Sequence, residues 1–460
     1  MINRRQFLSH GCSLGLATAT LSSSLLNLGL ARQAAAQGAA DYRALVCILL
    51  AGGNDSWNML VPTDTDQYSQ YRAIRSDLAL PRNQLLPLAG SAASGRHYGL
   101  HPGMPELQGL FASGDAAMLC NVGTLLEPFN AQKVANGSAL TPLGLFSHSD
   151  QIQQWQTGVS DERTTTGWGG RIADLLQETN LANGISMNIS LSGNNVFQSG
   201  TTVTEYSVQA EGNGAAGINA YDDGSEFGSF RKQMIDALLA VPQQQLLRRE
   251  YRQRLADAID SQKLFSAALQ QAPALGTPFG ANPFSQSLRQ IARIISVREQ
   301  LGARRQTFFI TVGGWDHHDD VLPKQAAMLP MISAGLLEFR NALRELAILD
   351  AVTTFTTSDF GRTLTSNGKG SDHGWGGHHI IMGGSVNGGA FYGDYPEISP
   401  GNPLDVGRGI YAPTTSVDEY FAELARWFGV PASDLPRVLP NVTRFYSPQA
   451  AELPLGMLRL

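Results

Sequence analysis

Residues 351–384 read AVTTFTTSDFGRTLTSNGKGSDHGWGGHHIIMGG. The run 352–357 is apolar and rich in β-branched residues, which suits a buried strand, and it ends abruptly at Ser358-Asp359-Phe360-Gly361-Arg362. A loop of glycine, asparagine and serine follows, and then Asp372, His373, His378 and His379 arrive within eight residues. Open α/β sheets build their ligand sites just beyond the carboxyl ends of strands. Of nine histidines in the chain, one lies near the N-terminus, His97 and His101 stand in a loop, and the others fall in three short polar clusters.

The pattern repeats on the N-terminal side. TFFITV at 307–312 is another buried strand, and it ends in GGWDHHDD at 313–320. A long amphipathic helix over 324–349 joins it to the strand above, so the two form a βαβ unit with functional groups at both strand ends. RALVCILL at 43–50, closed by Gly52-Gly53-Asn54-Asp55, predicts a central strand. Asp55 there reads equally as a ligand or as a turn-former.

Residues 64–103 are polar and interrupted by proline, and read as loop. His101-Pro102 opens a helix through Phe111, and 116–122 is a second parallel strand. Phe146-Ser147-His148-Ser149-Asp150 precedes QIQQWQTG, a helix N-terminus signal in which Ser147 or Ser149 acts as cap. Such an end also favours an anion. A further helix ends near Leu176, and a strand is expected over 184–191. The Gly-rich stretch 193–228 reads as an excursion, 230–272 as two helices split at Pro242, and 284–301 as an amphipathic helix. Ser416-Val417-Asp418-Glu419 is a capping box opening a helix through Phe428. The sum is an α/β fold: a doubly wound, mostly parallel sheet flanked by helices. It forms one domain over 37–460, with a helical insertion at about 193–305.

Residues 1–36 read as a Tat-type signal peptide, with Arg4-Arg5, an apolar small-residue run over 14–30 and Ala34-Ala35-Ala36. The alternative is an N-terminal membrane anchor. The signal reading places the protein in the periplasm or outside the cell. Its removal takes Arg4, Arg5 and Arg32 from 33 basic residues and none of the 39 acidic ones, leaving a charge near −9. That balance argues against nucleic acid and anionic lipid as main partners. No later stretch is long and apolar enough to span a bilayer. Cys47 and Cys120 sit in apolar runs and read as buried free thiols.

Three strand ends thus carry carboxylates, Asp55, Asp316 and Asp359, and two of these regions add His318 and His373. Mixed Asp/His sets are typical of divalent metal sites, here Zn, Mn, Fe or Ca. The competing reading is polar loops with hydrogen-bonded histidines. Arg362 has a fork suited to clamping phosphate or sulfate. No P-loop, G-x-S-x-G, H-E-x-x-H or dinucleotide fingerprint is present.

GGNDSWNMLVP, SHSDQIQQWQTG, GGWDHHDD, TSDFGRT, DHGWGGHHIIMGG and the C-terminal YFAELARWFGVP resemble, in order, the signature segments of the DUF1501 family. That family is grouped with the alkaline phosphatase-like superfamily of sulfatases, phosphopentomutases and phosphoglycerate mutases. The resemblance implies an alkaline phosphatase-like sheet with two metal sites and a nucleophile at a helix N-terminus. Carried over, it implies Asp55, Asp316, His318, Asp359 and His373 as metal ligands, and Ser147, with His148 beside it, in the nucleophile position. One departure is Asp359-Phe360-Gly361 where metal-dependent relatives have Asp-His-Gly. Phe360 cannot ligate, so His373 or His378 would have to fill that place. The implied activity is exported, metal-dependent hydrolysis of a small anionic phosphate or sulfate ester. The alternative is a non-catalytic envelope binding or assembly protein, with an exported protein as partner.

Overall fold

Strand β1 (Arg43–Leu50) is buried from Ala44 onward, as its unbroken apolar run requires. The computed structural model describes residues 42–460 apart from 91, 93, 181–183, 213, 215–216, 219–220 and 222, so the expected signal peptide lies outside the described residues. In chain order the elements that position the site are α1 (Thr65–Arg75), α2 (Pro105–Ala112), β2 (Ala116–Gly123), α3 (His148–Thr157), α4 (Trp168–Leu176), β3 (Asn188–Ser190), β4 (Tyr206–Ser207), α5 (Glu226–Ala240), α6 (Leu246–Gln270), α7 (Pro283–Ser296), β5 (Arg305–Val312), α8 (Val321–Glu345), β6 (Val352–Ser358), β7 (Arg362–Ser366), β8 (Ser371–His373), β9 (Gly377–Met382), β10 (Phe391–Tyr392), β11 (Thr415–Ser416) and α9 (Val417–Phe428).

The main sheet runs β10-β2-β9-β6-β1-β5-β3-β4, with β11 beside β2. Every pairing in it is parallel except the two made by β9. Strand alternation sorts β1 onto two faces. Ala44, Val46, Ile48 and Leu50 meet α2, α7 and α8 through Leu107, Leu288, Ile291 and Leu336. Leu45, Cys47 and Leu49 meet α3, α4 and α9 through Trp155, Trp168, Phe421 and Leu424. Helices on both faces make the sheet doubly wound, as expected. Cys47 and Cys120 are buried free thiols. Among the described residues no helix is long and apolar enough to cross a membrane.

The structure departs from the sequence reading in four places. Residues 65–75 form helix α1 rather than loop; only Gln67, Tyr71 and Arg75 of its polar sequence are buried, so it carries a weak apolar stripe. The strand expected over 184–191 is reduced to the three residues of β3. Residues 371–382, to which no element was assigned from the sequence, form β8 and the buried strand β9, where His378 and His379 lie among core residues. Helix α7, expected in the insertion, packs in the core through Phe284, Leu288, Ile291 and Ile295.

Candidate metal centre

The register of the three central strands builds the site. Leu50 lies opposite Val312 on one side and Ser358 on the other, so β1, β5 and β6 end at one level. The turns that leave them, 51–55, 313–320 and 359–361, are therefore neighbours. Gly52, at φ +120°, lets two of these turns touch: a Cβ there would stand 2.5 Å from the Asp316 backbone nitrogen. Its own N–H donates to Asp359 Oδ1 at 2.9 Å.

Among the described residues, one group of three ligand-type side chains converges: His148, Asp316 and His373, with their donor atoms within 4.8 Å of one another. His148 comes from the first turn of α3, Asp316 from the loop after β5, and His373 from the end of β8. His148 Nδ1 lies 2.6 Å from Asp359 Oδ2, and its Nε2 is 3.5 Å from Asp316 Oδ2. His373 Nδ1 lies 2.8 Å from the Phe146 carbonyl oxygen, a contact that requires a proton on Nδ1. Its Nε2 faces His318 Nε2 at 2.9 Å and Asp316 Oδ1 at 3.6 Å. His318 Nε2 is in turn 3.1 Å from Asp316 Oδ1, while its Nδ1 faces Asp372 at 3.4 Å. Three imidazole Nε2 atoms thus point toward one half-exposed carboxylate. Nδ1 of each is occupied by an oxygen, the arrangement that holds metal-binding histidines in the right tautomer. The donor set of imidazole nitrogen and carboxylate oxygen fits Zn, Mn or Fe, and suits the all-oxygen preference of Ca less well.

Phe360 explains the missing histidine of the Asp-Phe-Gly turn. Its ring is buried, with centroids 4.8 Å from His148 and 4.5 Å from His373. It forms an apolar wall against which both imidazoles rest.

Three other predicted site residues, Asp55, His378 and Arg362, are committed elsewhere, and these are corrections; Asp359 and Ser147 stay beside the cluster with partners of their own. Asp55 is fully buried, and its Oδ2 is shared by the Arg75 guanidinium and the Ser371 hydroxyl. A carboxylate so neutralised sits in a closed ion pair rather than in the cluster. His378 is buried in β9, stacked on Tyr395 at 4.4 Å, with Nδ1 accepting the Asn121 N–H. Burial pushes its pKa down to about 3. Arg362 is buried and donates to the carbonyls of Gly53, Ser371, Gly52 and Trp315 and to Asp316, so its fork is not open to an anion. Asp359 spends both oxygens on Gly52 and His148. Ser147 is the N-cap of α3, accepting from the Asp150 N–H, and its hydroxyl also meets Ser149 Oγ at 3.1 Å.

Burial pushes the Asp316 carboxyl upward, but the Arg362 hydrogen bond and charge, helped by His318 and His148, more than reverse this and hold it below the ordinary carboxylate range. It is ionised at neutral pH. For Asp359 burial dominates over the Gly52 and His148 hydrogen bonds and raises its pKa. His373 is lowered, chiefly by burial, against the Phe146 hydrogen bond and with the Arg362 charge. Neutral imidazole and ionised carboxylate are the protonation states a metal requires.

Asp372 and the Phe146 carbonyl were missed as contributors. Asp372 stands in the quoted acidic and histidine cluster, so it had a signal; the backbone carbonyl of a loop has none.

No curated protein matches the chain in sequence. Several solved structures overlap it at low identity. The C-terminal periplasmic domain of EcEptC from Escherichia coli, in complex with Zn, is 10% identical, with 90% of this chain and 92% of that one covered at a TM-score of 0.31. The PsFucS1 sulfatase from Pseudoalteromonas sp. is 9% identical over 88% of this chain and 72% of that one, with a TM-score of 0.33. The lipoteichoic acid synthase LtaP from Listeria monocytogenes is 9% identical over 82% and 76%, with a TM-score of 0.31. The model of the DUF1501 family, described as proteins of unknown function, matches residues 42–439. This chain belongs to the DUF1501 family.

Proposed function

We propose that this protein is an exported hydrolase of phosphate or sulfate esters that works with a single bound divalent metal ion. The observation that carries this reading is the convergence of the Nε2 atoms of His148, His373 and His318 on the Asp316 carboxylate. His148, Asp316 and His373 would hold the ion, and His318, half exposed at the mouth, would complete the set. For His318 to ligate through Nε2 its proton must sit on Nδ1, where the Asp372 carboxylate can accept it. Asp359 and the Phe146 carbonyl keep the other two rings aimed inward.

A bound divalent ion would supply Lewis acidity toward an ester oxygen and would make an attacking hydroxyl acidic enough to ionise at neutral pH. Ser147 precedes a ligand at the N-terminus of α3, where free N–H groups and the helix dipole favour an anion. We assign its hydroxyl as the chain's own nucleophile. Arg362 acts behind the site, holding the turns together and keeping Asp316 ionised. The Tat-type leader motivates export.

The test is hydrolysis of p-nitrophenyl phosphate and p-nitrophenyl sulfate by the protein loaded in turn with Zn, Mn and Fe. Turnover of either ester that disappears in Asp316→Ala, with folding intact, supports the proposal. A metal-loaded protein inert toward both esters supports the second reading, a binding or assembly protein on the same scaffold. That reading is favoured by two observations: Asp55 is closed off by Arg75, and Arg362 is committed to backbone carbonyls.

A further inference from the structure

Helices α5 and α6 form an antiparallel hairpin that stands away from the core. Of α5 only Gly228 is buried, and the first buried residue of α6 is Ile259. The exposed side of this hairpin is apolar. Phe227, Phe230, Met234 and Leu238 recur at spacings of three or four residues along α5 and, with Val241 just beyond its end, are 50–67% exposed. That spacing puts them in one stripe. Beside it Leu246, Leu247 and Tyr251 of α6 are 64–81% exposed. A groove between the helices is lined by Leu238, Leu239, Leu247, Tyr251 and Leu255 together with Gln243, Arg248 and Arg252. Taking ~200 Å² as the full area of a large side chain, these eight residues expose on the order of 1,000 Å². Monomeric proteins rarely leave more than ~600 Å² in one patch, and a standard interface covers ~800 Å² on each partner.

Charge indicates what covers it. The tip end carries Arg248, Arg249, Arg252 and Arg254 against Glu250, in a chain whose net charge is −6. The base end carries Asp223, Glu226, Asp257 and Asp260 against Arg231, Lys232 and Lys263. A second hairpin laid antiparallel across the first moves each basic tip away from its like and sets it against a base with one net negative charge. A bilayer fits less well: the turn at the tip is Pro242-Gln243-Gln244-Gln245, and the stripe runs along the whole of α5 rather than crowning its end.

We propose that the α5–α6 hairpin is a self-association surface, pairing about a two-fold axis with the same hairpin of a second copy to form a four-helix bundle. The test is sedimentation velocity of the exported chain at micromolar concentration, on the wild type, Phe230→Glu with Leu247→Glu, and Arg248→Glu with Arg249→Glu. These side chains are exposed, so the variants keep the wild-type circular dichroism and unfolding temperature. The expected results are a wild-type dimer, a monomer for the apolar pair, and for the arginine pair a dissociation constant raised at least tenfold at low salt and less at high salt. A wild type monomeric throughout, or a dimer surviving the Glu substitutions, overturns the proposal. So does a monomer that co-sediments with phosphatidylglycerol vesicles through this hairpin, which would assign the face to lipid.

Discussion

His148 Nδ1 lies 2.6 Å from Asp359 Oδ2, which leaves its other ring nitrogen facing Asp316. Under the proposed function Asp359, expected from the sequence as a metal ligand, would instead aim one, His148. Asp359→Asn keeps the shape and an oxygen for the Gly52 N–H but removes the charged acceptor. We expect metal affinity to fall by about 10–100-fold with the fold retained. Competition with a chromophoric chelator measures this, and unchanged affinity would return Asp359 to a purely structural role.

Gly52 is the contact point between the turns after β1 and β5. Gly52→Ala places a Cβ against the Asp316 backbone at a φ of +120°. The expected cost is about 1–3 kcal/mol of stability together with weakened metal binding, because the displaced turn carries Asp316, the carboxylate of the proposed centre. Urea unfolding and metal titration of the same preparation separate the two effects.

Arg75 and Asp55 form an ion pair with both side chains fully buried. Arg75→Ala leaves a buried, unpaired carboxylate and should cost on the order of 3–5 kcal/mol. Replacing both residues together, Arg75→Met with Asp55→Leu, should cost less than the single change. A double-mutant cycle by chemical denaturation checks the order.

Asp418, in the first turn of α9, is buried, and neither carboxylate oxygen has a side-chain or backbone partner among the described residues. Burial pushes its pKa up to about 8. The folded protein therefore keeps a proton that the unfolded chain releases near pH 4, so this group's contribution to stability is complete below that pH. It falls as pH rises toward about 8 and is level above. Relative to wild type, Asp418→Asn should gain about 1–3 kcal/mol between these limits. Unfolding temperatures of both proteins across the window, with a flat difference as the contrary result, decide it.

The sheet was legible because its strands are unbroken apolar runs ending in Gly and Asp, as at 43–50 and 307–312. Helix α1 was not, since TDQYSQYRAIR buries little apolar surface. The centre was legible as a set of turns but not as a list of ligands. His148, His318, His373 and Asp316 meet, whereas Asp55 and His378 have other partners. Which carboxylate faces an arginine and which an imidazole depends on residues far apart in sequence: Arg75 is 20 positions from Asp55, and Asp359 is 211 from His148. No local spacing records such pairings.

The most direct test is the metal content per chain of the exported protein, measured by mass spectrometry for wild type, Asp316→Ala and His148→Ala. The account predicts about one equivalent of a transition metal in the wild type, and little in either variant, with all three unfolding cooperatively. A wild type that neither carries nor takes up metal, or variants that keep it in full, would contradict the assignment of this centre.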